Sequence, residues 1–248
     1  MASNEIRRLR LGTRNGSIVM VPLDHGVSVG PIAGLENPRV ALEAAAKGGA
    51  SCVTLHKGLM PIAAPFADRL GLLLHLSASS DTAPDPHDKR LVATVEEALR
   101  LGCDGVSIHI NVGSATEARQ LEDAGRVATA CTEWGVPLIT MAYPRGPTVD
   151  NPHDPKLLAH AARLAAELGA DAVKLPFSGS TDTYRDVVRG CPVPILVAGG
   201  PTRGSFDAVL KDLKAAKKAG ALGCSIGRNV FQHADPAKAV AAVAAVFA

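Results

Sequence analysis

Lys174 stands in the run Ala172-Val173-Lys174-Leu175-Pro176, an ammonium among apolar neighbours. Alternate residues of a strand point to opposite faces. If helices cover the outer face, Lys174 turns inward. An amine held away from water loses part of its preference for the charged form, and a nearby cation such as Lys57 or Arg145 lowers its pKa further. The result is a neutral nucleophile able to attack a ketone or aldehyde and form an imine. A structural ion pair with a buried carboxylate is the other reading of the same position.

Imine chemistry also needs proton donors and acceptors. Asp24, in Leu23-Asp24-His25-Gly26-Val27-Ser28, and Tyr143, in Tyr143-Pro144-Arg145-Gly146, follow β-like segments and are the candidates. One group must carry protons as a carbinolamine forms and dehydrates; another must take or give the proton as a C–C bond is made or broken. An Asp-His pair can equally be a satisfied hydrogen-bond network. Two glycine-containing segments, Ala198-Gly199-Gly200-Pro201-Thr202 and Ile226-Gly227-Arg228-Asn229, suit an anion. Their backbone amides can approach it closely, and Arg228 can add a bidentate contact at a helix N-terminus. Plain turns with a solvated arginine are the alternative. His25, His56, His75 and His109 raise a rival chemistry, a zinc-centred site. Against it, the first strand has no H-x-H, H-E-x-x-H is missing, and the amine and anion features would stand idle. No metal and no cofactor are therefore expected.

Eight β-favouring segments must position these groups: 17–22, 51–55, 71–76, 105–110, 137–142, 172–176, 193–198 and 222–226. Helical segments separate them. Several helices stop at a glycine just before the next strand, as at Gly49, Gly102, Gly169 and Gly220. Eight strand–helix units in 248 residues imply an α/β fold, one (β/α)8 TIM barrel spanning 1–248 with a leading segment over 1–16. An open dinucleotide-binding sheet would want G-x-G-x-x-G after its first strand, where this chain has Leu23-Asp24-His25-Gly26. In a barrel the chemistry gathers where strands end, which is where Asp24 to Ser28, Lys57, Tyr143 to Arg145, the glycine segments and Arg228 all fall.

A net charge of +2 offers no broad field for nucleic acid, and Arg7-Arg8-Leu9-Arg10 reads as the exposed face of a leading helix. Five cysteines without C-x-x-C spacing sit beside apolar residues, as reduced core thiols do, which points to a cytoplasmic protein. The Ala/Val-rich run 239–248 is about half a membrane span, so no membrane partner is expected.

Five ordered motifs together resemble the archaeal-type class I aldolases. They are Val21-Pro22-Leu23-Asp24-His25-Gly26-Val27-Ser28, Leu55-His56-Lys57-Gly58, the segment 107–114 (Ser-Ile-His-Ile-Asn-Val-Gly-Ser), Tyr143-Pro144-Arg145-Gly146 and the segment 225–232 (Ser-Ile-Gly-Arg-Asn-Val-Phe-Gln). The resemblance implies Lys174 as the Schiff-base residue, Tyr143 as proton donor and Asp24 as proton acceptor. It implies substrate contacts from Asp24, His25, Gly26, Val27, Ser28, Lys57, Tyr143, Pro144 and Arg145, and phosphate contacts from Gly199, Gly200, Gly227 and Arg228. Partners would be a phosphorylated sugar-like donor and an aldehyde acceptor, with copies of the chain in a homo-oligomer, decameric in several members. His56-Lys57-Gly58, 109–114 and 75–86 resemble the branch that condenses aspartate semialdehyde with a dihydroxyacetone-phosphate-type donor. Fructose-1,6-bisphosphate cleavage is the second enzymatic expectation, and a non-catalytic sugar-phosphate sensor the third. One departure stands out: Leu175-Pro176-Phe177-Ser178-Gly179 lacks the Thr or Lys, Ser and Tyr that relatives commonly carry before this glycine. Loss of hydroxyls close to the imine would change acceptor preference.

Overall fold

The structure, a computed structural model, describes residues 2–12, 15–200 and 205–248. Eight parallel strands close into a barrel: β1 (Ile18–Pro22), β2 (Cys52–Leu55), β3 (Gly71–His75), β4 (Gly105–Val112), β5 (Leu138–Pro144), β6 (Ala172–Pro176), β7 (Ile195–Ala198) and β8 (Gly223–Ser225). The ring runs in chain order and closes where Ile18, Val19 and Met20 of β1 pair with Gly223, Cys224 and Ser225 of β8. All eight expected strands are present. β4 and β5 run two residues further than the sequence reading, so Tyr143 and Pro144 belong to the end of β5 rather than to the loop after it.

The period of two divides each strand between two environments. Val173 and Leu175 join the large outer core between barrel and helices, whereas Ala172 belongs to an inner apolar plug with Met20, Cys52, Leu73, Ile139 and Leu196. Two residues on from that plug stand Pro22, His75, Met141, Lys174 and Ala198, lining a cavity at the C-terminal mouth. An apolar floor and a polar mouth thus follow from one alternation, as barrels require. Outside, helix starts are fixed by side-chain caps: Asn37, Thr94, Asp154, Ser180, Ser205 and Asp235 each accept a backbone N–H from the first turn. The four punctuating glycines, Gly49, Gly102, Gly169 and Gly220, all have φ between 75° and 109°.

The leading segment forms the helix Ala2–Leu11, which seals the other end of the barrel by inserting Leu11 into the inner plug. Its arginines correct the expectation of a merely exposed basic face. Arg7 donates to the Cys103 carbonyl at 2.8 Å, Arg8 pairs with Asp171, and Arg10 pairs with Asp104 and donates to the Ala67 carbonyl. Asp104 and Asp171 each use the second carboxylate oxygen to accept a strand N–H, from Leu72 at 3.0 Å and Leu138 at 2.8 Å. The aspartates that follow two of the punctuating glycines therefore latch the plug helix to the barrel rim. Among the described residues no helix is long and apolar enough to cross a membrane.

Candidate active site

Lys174 is 7% exposed, with its Nζ 3.8 Å from the Met141 sulfur, its cross-strand partner on β5. Among the described residues no carboxylate pairs with it, so the structural ion pair weighed for this position is not formed. The amine faces a cavity of about 620 Å³, the right size for a small phosphorylated substrate.

Asp24 lies just beyond β1, where it precedes the short helix His25–Val29 without capping it. Its carboxylate is left to the cavity, 3.6 Å from His25 Nδ1 and 3.8 Å from His75 Nε2. Burial by itself would raise this carboxyl, but His75, His25, Lys174 and His56 around it outweigh burial and hold it well below the usual carboxylate range. His75 is fixed by a 2.8 Å hydrogen bond between Nδ1 and Ser107 Oγ, and burial drives its pKa down to about 3 despite the pull of Asp24. Burial also lowers His25, His56 and His109. Burial thus favours the neutral form of all four rings, three of which, His75, His25 and His56, surround Asp24. Among the described residues no three His, Cys, Asp or Glu side chains are grouped so as to hold a metal ion.

Tyr143 lines the same cavity from the end of β5. Its ring lies 5.0 Å from that of His109 on β4, and the Arg145 guanidinium covers it at 4.5 Å. Across the mouth, β7 leads into Gly199-Gly200 and β8 into Gly227, which precedes the helix Arg228–Phe231. Gly227 is packed so closely that a Cβ would stand 2.7 Å from His25 Cε1 and 3.0 Å from the Pro22 carbonyl. Asn229 Nδ2 donates to the Gly199 carbonyl at 3.2 Å and holds the two loops together. Among the described residues, three buried polar atoms of residues on this wall, His25 Nδ1, Ser225 Oγ and Arg228 Nε, have no hydrogen-bond partner. Buried polar atoms left unpaired are costly, and all three belong to residues that line one cavity. Pro201 and Thr202, expected to extend the first glycine segment, lie outside the described residues.

The cavity thus brings together Lys174, Tyr143, Asp24, His25, Ser28, Arg145, Gly199, Gly200, Gly227 and Arg228. Gly26, Val27, Pro144 and Lys57 do not line it. Lys57 is pulled away because its ammonium donates to the Val92 carbonyl at 2.9 Å and pairs with Glu97 at 3.2 Å. It is not the cation expected beside Lys174. Phe177 and Pro176 also stand outside this cavity. Phe177 packs in the outer core with its ring 5.1 Å from Tyr184, so the sequence departure after Lys174 alters packing behind β6 rather than the wall facing the amine.

Sequence reasoning missed Ser225, Asp81, His87 and Lys89. Ser225 could have been found by extending the inward alternation along β8. The other three arrive on a long excursion after β3, whose short antiparallel ribbon pairs Ser77 with Leu91 and Ala78 with Arg90. No local periodicity announces that this excursion folds over the mouth.

The description DeoC/LacD family aldolase matches residues 18–233 of this chain. The chain is 43% identical over 220 residues to the 2-amino-4,5-dihydroxy-6-oxo-7-(phosphonooxy)heptanoate synthase of Streptomyces griseus, covering 88% of this chain and 80% of that one. It is 41% identical over 239 residues to the 2-amino-3,7-dideoxy-D-threo-hept-6-ulosonate synthase of Halobacterium salinarum, covering 96% and 89%. A solved structure of a Schiff-base-forming fructose-1,6-bisphosphate aldolase superposes with a TM-score of 0.90 at 32% identity, covering 99% of this chain and 100% of that one. With a closed barrel, a buried amine at its mouth and these relatives along nearly its full length, the chain belongs to the DeoC/LacD family of aldolases.

Proposed function

We propose that Lys174 forms the Schiff base of a class I aldolase that joins a dihydroxyacetone-phosphate-type donor to an aldehyde, aspartate semialdehyde being the first candidate. The observation that carries this reading is the burial of Lys174, without an ion pair, in the cavity that is also lined by Asp24, Tyr143, Ser225 and Arg228. The donor's phosphate rests on the amides of Gly199, Gly200 and Gly227 with Arg228, and the ketone then meets the amine. Addition gives a carbinolamine, and loss of water gives an iminium that draws electrons from the adjacent carbon. Asp24, kept ionised by its surroundings, accepts the proton from that carbon. The enamine attacks the aldehyde, whose oxygen takes a proton from Tyr143, and water then releases the product and regenerates Lys174.

Fructose-1,6-bisphosphate cleavage is the second reading, favoured by the 0.90 superposition on an aldolase of that sugar. Comparing kcat/KM for that cleavage with kcat/KM for aldol formation from dihydroxyacetone phosphate and aspartate semialdehyde separates the two. The first reading predicts faster condensation. Faster cleavage overturns it. Five buried, unpaired thiols support a reducing, cytoplasmic setting. The family resemblance supports a homo-oligomer, a decamer in several members, and light scattering tests this by the molar mass in solution.

A further inference from the structure

The excursion after β3 is anchored from several sides. Asp81 N–H donates to the Ser28 carbonyl at 2.9 Å. Asn111 and Gln120 donate to the His87 carbonyl at 2.9 and 2.8 Å, and Arg119 pairs with Asp88 while donating to the Lys89 carbonyl at 3.0 Å. The ammonium of Lys89 lies in the cavity, where Ser79 Oγ accepts from it and where Asp81 and Asp24 act on it without forming an ion pair. Arg145 meets the same space from the end of β5, its guanidinium spread on Tyr143 and its backbone N–H held by the Val112 carbonyl at 2.9 Å. Among the described residues neither Lys89 nor Arg145 has a carboxylate partner, and Asp81 on the same wall offsets only one of the two charges.

In the eight-strand ring, β3 and β4 stand across from β7 and β8. Lys89, carried on the excursion after β3, and Arg145, just past β5, enter the mouth by other routes than the glycine loops after β7 and β8, and Lys174 on β6 stands between Arg145 and those loops. Two cations held in one cavity repel each other unless an anion joins them. Burial and then Arg145 lower Lys89 against the opposing pull of Asp81 and Asp24, and both cations contribute to lowering His109. We propose that Lys89 and Arg145 form a second anion subsite, which holds a carboxylate or phosphate group of the aldehyde acceptor and so selects acceptors that carry such a group over those that lack one. This rests on the donor reading given above. Stacking of Arg145 on Tyr143 would also bring the bound acceptor's oxygen toward the phenol.

The test measures steady-state condensation with dihydroxyacetone phosphate and three acceptors: aspartate semialdehyde, glyceraldehyde 3-phosphate and uncharged glyceraldehyde. In Lys89→Met, KM for an acceptor bearing a carboxylate or phosphate is expected to rise about tenfold, the loss of one screened charge contact, with kcat at saturation little changed. KM for glyceraldehyde should stay within about twofold, and Lys89→Arg should recover most of the loss. A larger loss with the semialdehyde identifies the anion as carboxylate; a larger loss with glyceraldehyde 3-phosphate identifies it as phosphate. Equal losses on charged and uncharged acceptors, or unchanged selectivity, overturn the subsite. Borohydride trapping of the donor by the wild-type enzyme separates the two claims. An adduct with unchanged selectivity sinks the subsite alone, whereas no adduct sinks the donor reading and the subsite with it.

Discussion

His75 offers a quantitative check on the electrostatics of the mouth. Its folded pKa, about 3, lies below its ordinary value of 6.5 because burial disfavours the charged ring. In the interval between these values the unfolded chain binds a proton that the native protein refuses, so stability falls as pH falls. The full shift corresponds to roughly 5 kcal/mol, and the part between pH 6.5 and about pH 5 to roughly 2 kcal/mol. His75→Asn keeps a polar atom near Ser107 Oγ and removes the titration. Urea unfolding across that range should show ΔG declining less steeply in the variant, the slopes differing by up to about 1.4 kcal/mol per pH unit. His25, His56 and His109 are lowered in the same direction and leave a residual slope in both proteins. Asp24 does not blur the comparison. Its depressed pKa adds stability that is lost only as pH falls below the ordinary carboxylate value of 3.8. Parallel slopes in the two proteins would refute the reasoning, since they would mean that His75 takes up its proton equally in both states.

Tyr184 is fully buried and among the described residues its hydroxyl has no hydrogen-bond partner, so Tyr184→Phe should stabilise the protein by about 1–3 kcal/mol while keeping the edge-on contact with Phe177. A lower urea midpoint would contradict this. Leu11→Ala opens the inner plug and should cost about 2–5 kcal/mol, read as the same midpoint falling without loss of catalytic turnover per folded molecule. Gly227→Ala drives a methyl against His25 and should raise the donor's KM about tenfold, the scale of one charge-assisted contact, with kcat less affected. Lys57→Met should change kcat/KM by less than about twofold and stability by less than about 1 kcal/mol, because Lys57 is a half-exposed tie to Glu97.

The barrel was legible because two periods coincide. The apolar alternation recurs in eight strands, four of them preceded by a glycine stop at Gly49, Gly102, Gly169 or Gly220, and closure follows from number and length. Lys174 was legible for the same reason, since alternation around Val173 and Leu175 leaves it one direction to face. Lys57 was misjudged because a residue just past a strand can be drawn sideways by a partner 40 positions away, and Glu97 gave no local sign of doing so. Lys89 was missed for the converse reason. Its place depends on hydrogen bonds from Asn111, Gln120 and Arg119, which lie on later elements and constrain a segment with no period of its own. Phe177 invited a reading as a wall of the site from its distance in sequence to Lys174. The strand's alternation and the contact with Tyr184 place it behind the sheet.

The central claim is that Lys174 is the amine that forms the covalent intermediate. Incubation with dihydroxyacetone phosphate, and separately with fructose 1,6-bisphosphate, followed by borohydride reduction, intact mass and peptide mapping, tests it directly, with chelator-treated enzyme alongside. A reduced adduct on the peptide bearing Lys174, unchanged by chelator and missing from Lys174→Met, is the predicted result. An adduct on another lysine, or turnover without any adduct that stops when chelator is added, would contradict the account.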